Sequence, residues 1–539
     1  VTKTSPPAHG KQSLIRSSAI FSAFTLFSRV FGLIRDLVLT AVLGASGNIA
    51  ADAFNTALAF PNLFRRIFAE GAFASAFVPA YSKSLKEDGE DKADVLASDA
   101  LATLTVATVG VMVLSQLLMP WLMMAFRSGF LENPEKFRLA VTLTQITMAY
   151  LPCMAIYAHL SGVLNARNRF VLSAAAPILL NLWTLATVLP ASGPIQAAWF
   201  ASVGVVFAGV SQAALLVWGC NRSGARVHWR LPRLTPEVKL LIGLALPGAL
   251  AASASQINVW VSGAIVSEVP GAVTWLSMCD RFYQLPLGLV GVAIGVALLP
   301  QLSRAVLSKD QTEARSTLDQ ATTVAMALTL PAAAALIAIP HFLVDGLFRR
   351  GEFSVHDAVQ SGHILVHYGW GVPAFVLAQI LNRVFFANQD TKTPMRLALM
   401  SVAINVAVAI SFYQIIGVPG VAVATSFASW CNVVGMAIIL WRRGLYHPSA
   451  QAWSRLARII AASTAMGAIL AVAGHFRPVF EPLVGGKEIA VLLTCAVGGG
   501  LYPVLLIASG GLTLAEVRAA MRRKKSDPPP ALPDTGPSE

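Results

Sequence analysis

Residues 28–36, SRVFGLIRD, and 52–82, DAFNTALAFPNLFRRIFAEGAFASAFVPAYS, sit among apolar neighbours yet carry Arg29, Arg35, Asp36, Asp52, Arg65, Arg66 and Glu70. A charge at the centre of a bilayer costs roughly 2.5–3.5 kcal/mol on insertion scales. Seven such groups cannot face lipid together, so this stretch is expected to line a protein-enclosed, wet cavity. Arg29 and Asp36 are seven residues apart and share one helix face, with Arg35 about 100° round. Arg66 and Glu70 form an i,i+4 pair. Pro61 removes one backbone hydrogen bond and is expected to kink the second segment. The plainer reading, charges at helix ends whose long stems reach the interface, suits Arg65 and Arg66 better than Arg29 and Arg35.

The surroundings justify the premise of a membrane. Of 539 residues, 55% are hydrophobic and 12% charged, with a mean hydropathy of +0.65. Soluble chains carry about 25% charged residues. Apolar segments long enough to span a bilayer fall at 15–44, 52–82, 97–126, 139–164, 171–190, 195–219, 236–266, 271–303, 318–348, 357–385, 394–416, 418–441, 454–474 and 487–510. The fold expected is therefore an all-α polytopic membrane protein with fourteen transmembrane helices. The basic N-terminus ahead of the first segment resembles a signal peptide only superficially. Its apolar run continues through Arg29 and Arg35 to Leu43, which suits a retained helix.

The formal charge of +13 is explained by topology and not by nucleic acid. With fourteen spans of approximate limits, 28 of the 40 Lys and Arg fall in the termini, the connections and the adjoining helix ends of one side, against seven on the other. By the positive-inside rule the rich side, with both termini, is cytoplasmic. The other five (Arg29, Arg35, Arg65, Arg66 and Arg281) are intramembrane. The five cysteines lie in or beside apolar segments without CxxC pairing and read as small core residues.

The chain repeats itself. LNARNRF around Ala166 matches FFANQDTKTP around Ala387, and FVPAYSKS at Pro79 matches LLPQLSRA at Pro300, each at an offset of 221. LLVWGCNR at Trp218 and IILWRRG at Trp441 differ by 223. This predicts two pseudo-symmetric six-helix lobes, 15–222 and 223–445, as a parallel repeat. Residues 1–14 form a cytoplasmic N-terminus, and 446–510 hold two additional C-terminal helices. The tail, 511–539, has a basic amphipathic stretch, AEVRAAMRRKK, and a Pro-rich end that reads as disordered. In the second half, TWLSMCDRFYQLPLG places Asp280, Arg281 and Gln284 within about one turn beside a second proline, Pro286. Two half-sites facing across the pseudo-symmetry axis would make one central cationic cavity.

SRVFGLIRD, the long DAFN…PAY stretch, the DRFYQLPLG region and FFANQDTKTP together closely resemble the MurJ (MviN) family of lipid II flippases, within the multidrug/oligosaccharidyl-lipid/polysaccharide exporter superfamily. The resemblance runs from about Ser13 to Leu506. It implies that Arg29, Arg35 and Arg281 are cavity arginines needed for transport, with Arg65 and Arg66 also near the substrate. Asp36, Asp52, Glu70, Asp280 and Gln284 take supporting or gating roles, and the two additional helices form a groove for a polyprenyl tail. Ala59 stands where some members have lysine, and Gln284 where some have glutamate. The implied partner is lipid II, an undecaprenyl-pyrophosphate-linked disaccharide peptide, in the bacterial inner membrane. Membrane lipids are further partners, and cell-wall synthesis proteins stay open.

The chemistry agrees with that cargo. Guanidinium meets pyrophosphate with a planar donor fork that never deprotonates. Asp36 and Asp280 could compete for the arginines and so permit release. A cation-coupled exporter of drugs or other lipid-linked oligosaccharides would favour acids and aromatics over several arginines. A membrane glycosyltransferase or phosphatase would need clustered catalytic acids or histidines. The nearest such group is His363 with His367, one turn apart, plus His356; these read as packing or polar-cavity histidines before metal ligands. A scaffold would not need buried charges. No nucleotide-binding loop is present, and no cofactor or metal is implied.

Overall fold

The computed structural model describes residues 9–65, 72–167, 169–284, 286–288, 311–388 and 390–511. Among these there is no strand, and the protein is all-helical. In the first half lie α1 (His9–Leu43), α2 (Ala50–Arg65), α3 (Ala72–Glu87), α4 (Glu90–Phe126), α5 (Pro134–Met148), α6 (Tyr150–Ala166), α7 (Phe170–Ala175), α8 (Pro177–Val188) and α9 (Pro194–Arg222). Next come α10 (Pro236–Ile265), α11 (272–284), α12 (Gln311–Ala338), α13 (Pro340–Phe348), α14 (Val355–Gly369) and α15 (Val372–Ala387). The chain continues with α16 (Lys392–Ile416), α17 (Pro419–Arg442), α18 (Ala450–His475), α19 (Arg477–Phe480) and α20 (Lys487–Ala508).

Local chemistry sets several helix starts. Asn133 caps α5 by accepting from Glu135 N and Lys136 N, with Pro134 at the first helical position. Thr235 caps α10 and Ser449 caps α18 in the same way. Gly417 closes α16 at φ +69°, a conformation that L side chains rarely adopt.

Among the described residues nine helices are long and apolar enough to cross a membrane, or ten when α14 and α15, bent by 40°, count as one span. Those ten coincide with apolar segments read from the sequence; α5 and α6 together make the span 134–166. Of the other four segments, 15–44 and 236–266 are occupied by α1 and α10, and 52–82 and 271–303 run partly outside the described residues. Large apolar side chains stand exposed along the helices, among them Leu117, Trp121, Val497 and Val504. In water such a surface would be unstable; around a membrane span it is the lipid contact. The chain is a multi-pass membrane protein.

The helices form two compact units. The first comprises 1–283, 341–368 and 391–432. Here α2 packs on α5, α9 on α6 and α8, α1 on α8, and α10 on α3 and α16. One core cluster joins Phe77, Tyr81, Leu101, Leu160, Val163 and Leu216. The second unit comprises 284–340, 369–390 and 433–539. In it α12 packs on α15 and α18, and α18 on α20. Gly467 lets α18 approach α12, where an added Cβ would lie 3.2 Å from Ala334 Cβ. Asp319 ties α12 to the turn before α18 by accepting from Tyr446 Oη at 2.8 Å and Ser449 N at 3.1 Å.

Candidate functional site

Within the first unit a cavity of about 70 Å³ is lined by a stripe of α1, by α2 and by α11, with Arg35, Asp36 and Arg281 among its walls. The α1 stripe is Arg35, Asp36, Leu39, Thr40 and Leu43, the spacing of one helix face. Arg35 donates from Nε at 3.0 Å and from Nη2 at 2.7 Å to the same oxygen, Asp36 Oδ1. Its third nitrogen, Nη1, donates to Asn181 Oδ1 at 3.0 Å, and Asn181 Nδ2 donates in turn to Ser28 O at 3.1 Å. Arg281 approaches the other carboxylate oxygen, Nε to Asp36 Oδ2 at 3.2 Å. One carboxylate thus holds two guanidinium groups. The Arg35 side chain is 12% exposed and that of Arg281 49%, so Arg281 is the more accessible cation.

A second charged cluster adjoins the cavity. Asp52 is completely buried and accepts from four donors: Lys136 Nζ at 2.7 Å, Gly271 N at 2.8 Å, Thr274 N at 3.0 Å and Thr274 Oγ1 at 2.7 Å. The last three fix the start of α11 to α2. Gly271, at φ +84°, passes so close that a Cβ would lie 2.7 Å from Ser46 N. Thr274 also lines the cavity and accepts from Asn55 Nδ2 at 3.1 Å, so Asp52 stands one residue behind the cavity wall.

Beside this cluster Arg127 is buried, with Nε on Thr56 Oγ1, Nη1 on Phe126 O, and its guanidinium 5.0 Å from the Trp260 ring centre. Burial pushes the Arg127 guanidinium down to about 10, against the opposing pull of Asp52. Arg127 and Lys136 read as loop charges in the sequence. Both are buried, 3% and 6% exposed, because each side chain turns inward from a helix end.

A profile of the family described as "Lipid II flippase MurJ" matches residues 39–483. A protein of Rhizobium tropici described as a probable lipid II flippase MurJ is 36% identical over 527 residues, covering 96% of this chain and 98% of that protein. The chain belongs to the MurJ family of lipid II flippases. Among solved structures, a lipid II flippase MurJ in an inward closed conformation superposes with a TM-score of 0.75 at 24% identity, covering 94% of this chain and all of that one. An inward-facing multidrug resistance transporter of the MATE family and MOP superfamily superposes at 0.63 with 14% identity, covering 79% of this chain and 97% of that chain. These two likenesses concern the fold.

Of the residues singled out in the sequence, Arg35, Asp36 and Arg281 meet in one cavity. Asp52 lies just behind it. Arg29 is exposed and stands nearly two turns before the lining stripe. Asp280 is half-buried and Gln284 exposed at the end of α11, and neither lines the cavity. Arg65 ends α2; its side chain, and Arg66 and Glu70 altogether, lie outside the described residues. The sequence reading missed Asn181, Asn55 and Thr274. Asn181 carried the one available signal, an amide in the apolar run PILLNLWTL.

Proposed function

We propose that this chain is a lipid II flippase, carrying the lipid-linked peptidoglycan precursor from the inner to the outer leaflet of the bacterial cytoplasmic membrane by alternating access. The observation that carries this reading is the sharing of Asp36 between Arg35 and Arg281. Two guanidinium groups converge on one small anion, and a pyrophosphate could replace that anion with more oxygens and more charge. A cavity of about 70 Å³ holds only a few waters, so the arrangement suits a state awaiting opening and not one holding a headgroup. Asp36 then acts as a resident counter-ion that keeps the arginines paired when no cargo is bound. Arg29, Arg65 and Arg66 extend the cationic surface once the cavity widens. Asp52, Glu70, Asp280 and Gln284 support or gate it.

The same reading places fourteen spans in the membrane as two six-helix lobes, 15–222 and 223–445. It puts both termini in the cytoplasm and the polyprenyl tail along the helices of 446–510. Cysteines at Gly47 and Gly193 should then label from outside, and at Asp88 and Arg230 only from the cytoplasm; any exchange between the pairs overturns that topology. The function itself is tested by reconstitution into vesicles with fluorescent lipid II and a neutral lipid control. Selective movement of lipid II is expected. Equal movement of both lipids, or of neither, rejects the reading.

A further inference from the structure

Four of the nine histidines in the chain gather in one place in the first unit, away from the arginines. His356, Gln360, His363 and His367 fall on one side of α14 and line a groove of about 610 Å³ with Trp275 and the α16–α17 turn. His341, on α13, adds a ring whose centre lies 4.8 Å from that of His363. His341, His356 and His363 are exposed and His367 is half-buried. The groove lies across α11 from the arginine cavity: Thr274, Ser277 and Arg281 line the cavity, and Trp275 lines the groove.

The acid on the same helix does not serve these histidines. Asp357 is fully buried, with Oδ1 accepting from Ser46 N, Ser46 Oγ and Trp275 Nε1, and Oδ2 from Ser354 N and Ser354 Oγ. The titratable groups facing His363 are His341 from α13 and His367 from its own helix. From α11 comes the indole of Trp275, and the α16–α17 turn contributes Ile416, Gly417, Val418 and Pro419, none of which titrates. Glu268, the sequence neighbour of Val269 of the lining, is exposed. Among the described residues no group of three or more His, Cys, Asp or Glu is arranged to hold a metal ion.

We propose that this groove binds a carboxylate-bearing anion, and that the histidines take up protons as it binds. Neighbouring imidazoles repel once both are protonated, and an anion between them removes that cost, so ligand and proton bind together. The volume lies in the range of small-molecule sites, roughly 300–1,000 Å³. Gln360 supplies a neutral amide donor beside the imidazoles. Resting on the flippase reading, one source of the carboxylate is the peptide of the lipid II headgroup; the other is a free small dicarboxylate.

The test is calorimetric titration of the purified full-length protein at pH 6 and pH 8. The probes are succinate, an N-acetylated dipeptide with a free C-terminus, and the C-terminal amide of that dipeptide. Coupled proton uptake makes binding of a carboxylate tighter at the lower pH, by about tenfold at pH 6 relative to pH 8. The amide should not bind, and His363→Gln combined with His367→Gln should abolish the pH difference. Preference for the dipeptide assigns the groove to the headgroup, and equal binding of succinate assigns it to free anions. Equal affinity at both pH values, binding of the amide, or an unaffected double variant overturns the proposal. If the double variant does not purify, His356→Gln, on the exposed first turn of α14, is read by the same criterion. Binding is measured without transport, so a failed flux assay leaves the groove standing and a failed titration leaves the flippase reading standing.

Discussion

Asp36 Oδ2 lies 3.2 Å from Arg281 Nε, while its other oxygen holds Arg35 of the same helix. The carboxylate therefore joins α1 to α11 by charge alone at this point. If the cavity binds an anion, as proposed above, it would gain affinity without Asp36. The role proposed for Asp36 is then release, because a site that never lets go of its cargo transports nothing.

Asp36→Asn separates binding from release. The amide keeps an acceptor oxygen but loses the charge, leaving both arginines without a counter-ion. Hydrogen bonds to charged groups contribute about 1.5–3 kcal/mol, so affinity for lipid II in detergent should rise by about tenfold or more. The flipping rate in vesicles should fall because release slows. A variant that loses affinity and flux together would show that Asp36 orients the arginines and does not compete for them.

Lysine replacements should distinguish the two arginines. Arg35 uses three nitrogens at once, two on Asp36 and one on Asn181. Arg281 uses one nitrogen on Asp36 and is about half exposed. An ammonium can copy a single point charge but not a planar fork. Alanine at either position should abolish flipping while the protein stays in the membrane. Lysine should restore a measurable rate at 281 and little at 35. Asn181→Leu, which strips the outer support from Arg35, should resemble Arg35→Lys in rate. Equal rescue at both positions would contradict the assignment of a fork geometry to Arg35.

What the sequence made legible follows from cost. Arg35, Asp36 and Arg281 stand out because charge in an apolar segment is expensive, and expense points to an enclosed site. Asn181 costs less and so signals less, although it holds Arg35 in place. Arg127 and Lys136 were invisible for a different reason. They sit at the ends of helices, where a linear reading assigns them to solvent, and their burial depends on Asp52 and Thr56 arriving from α2. Arg29 shows the converse. It shares a face with Asp36 by periodicity, but a face is longer than a cavity, and the lining begins only at Arg35.

The Lys136–Asp52 pair should contribute to stability, with its effect on transport passing through α11. Removing one partner of a buried ion pair costs about 3–5 kcal/mol because the other charge is left in a low-dielectric site. Asp52 retains three further donors after Lys136→Met, which moves the expected loss toward the lower figure. Asp52→Asn leaves Lys136 buried without its carboxylate and should lose more. Detergent-solubilised protein monitored by tryptophan fluorescence should show thermal midpoints in the order wild type, Lys136→Met, Asp52→Asn. Indistinguishable midpoints would mean that the cluster is solvated and the pair contributes nothing measurable to stability.

Direction of transport is expected to come from the membrane potential. Outward movement of an anionic lipid is favoured by a membrane negative inside, by about 2.3 kcal/mol per charge per 100 mV. A pyrophosphate with two charges could therefore draw on about 4–5 kcal/mol at 100 mV if it moved uncompensated. Arginines that travelled with it would cancel that gain. Arg35 is held by Asn181 and Asp36 within the first unit, and Arg281 reaches the same carboxylate from α11, so both are built into helices that also wall the cavity. The hypothesis is that these helices tilt while their charges stay nearly fixed in the field, supplying binding while the potential supplies direction. In vesicles with a potassium gradient and valinomycin, flux should rise steeply with an inside-negative potential and collapse when the potential is cancelled at constant pH gradient. Flux that follows the pH or sodium gradient and ignores the potential would show that the cargo's charge is compensated during transit, and the potential-driven account would fail.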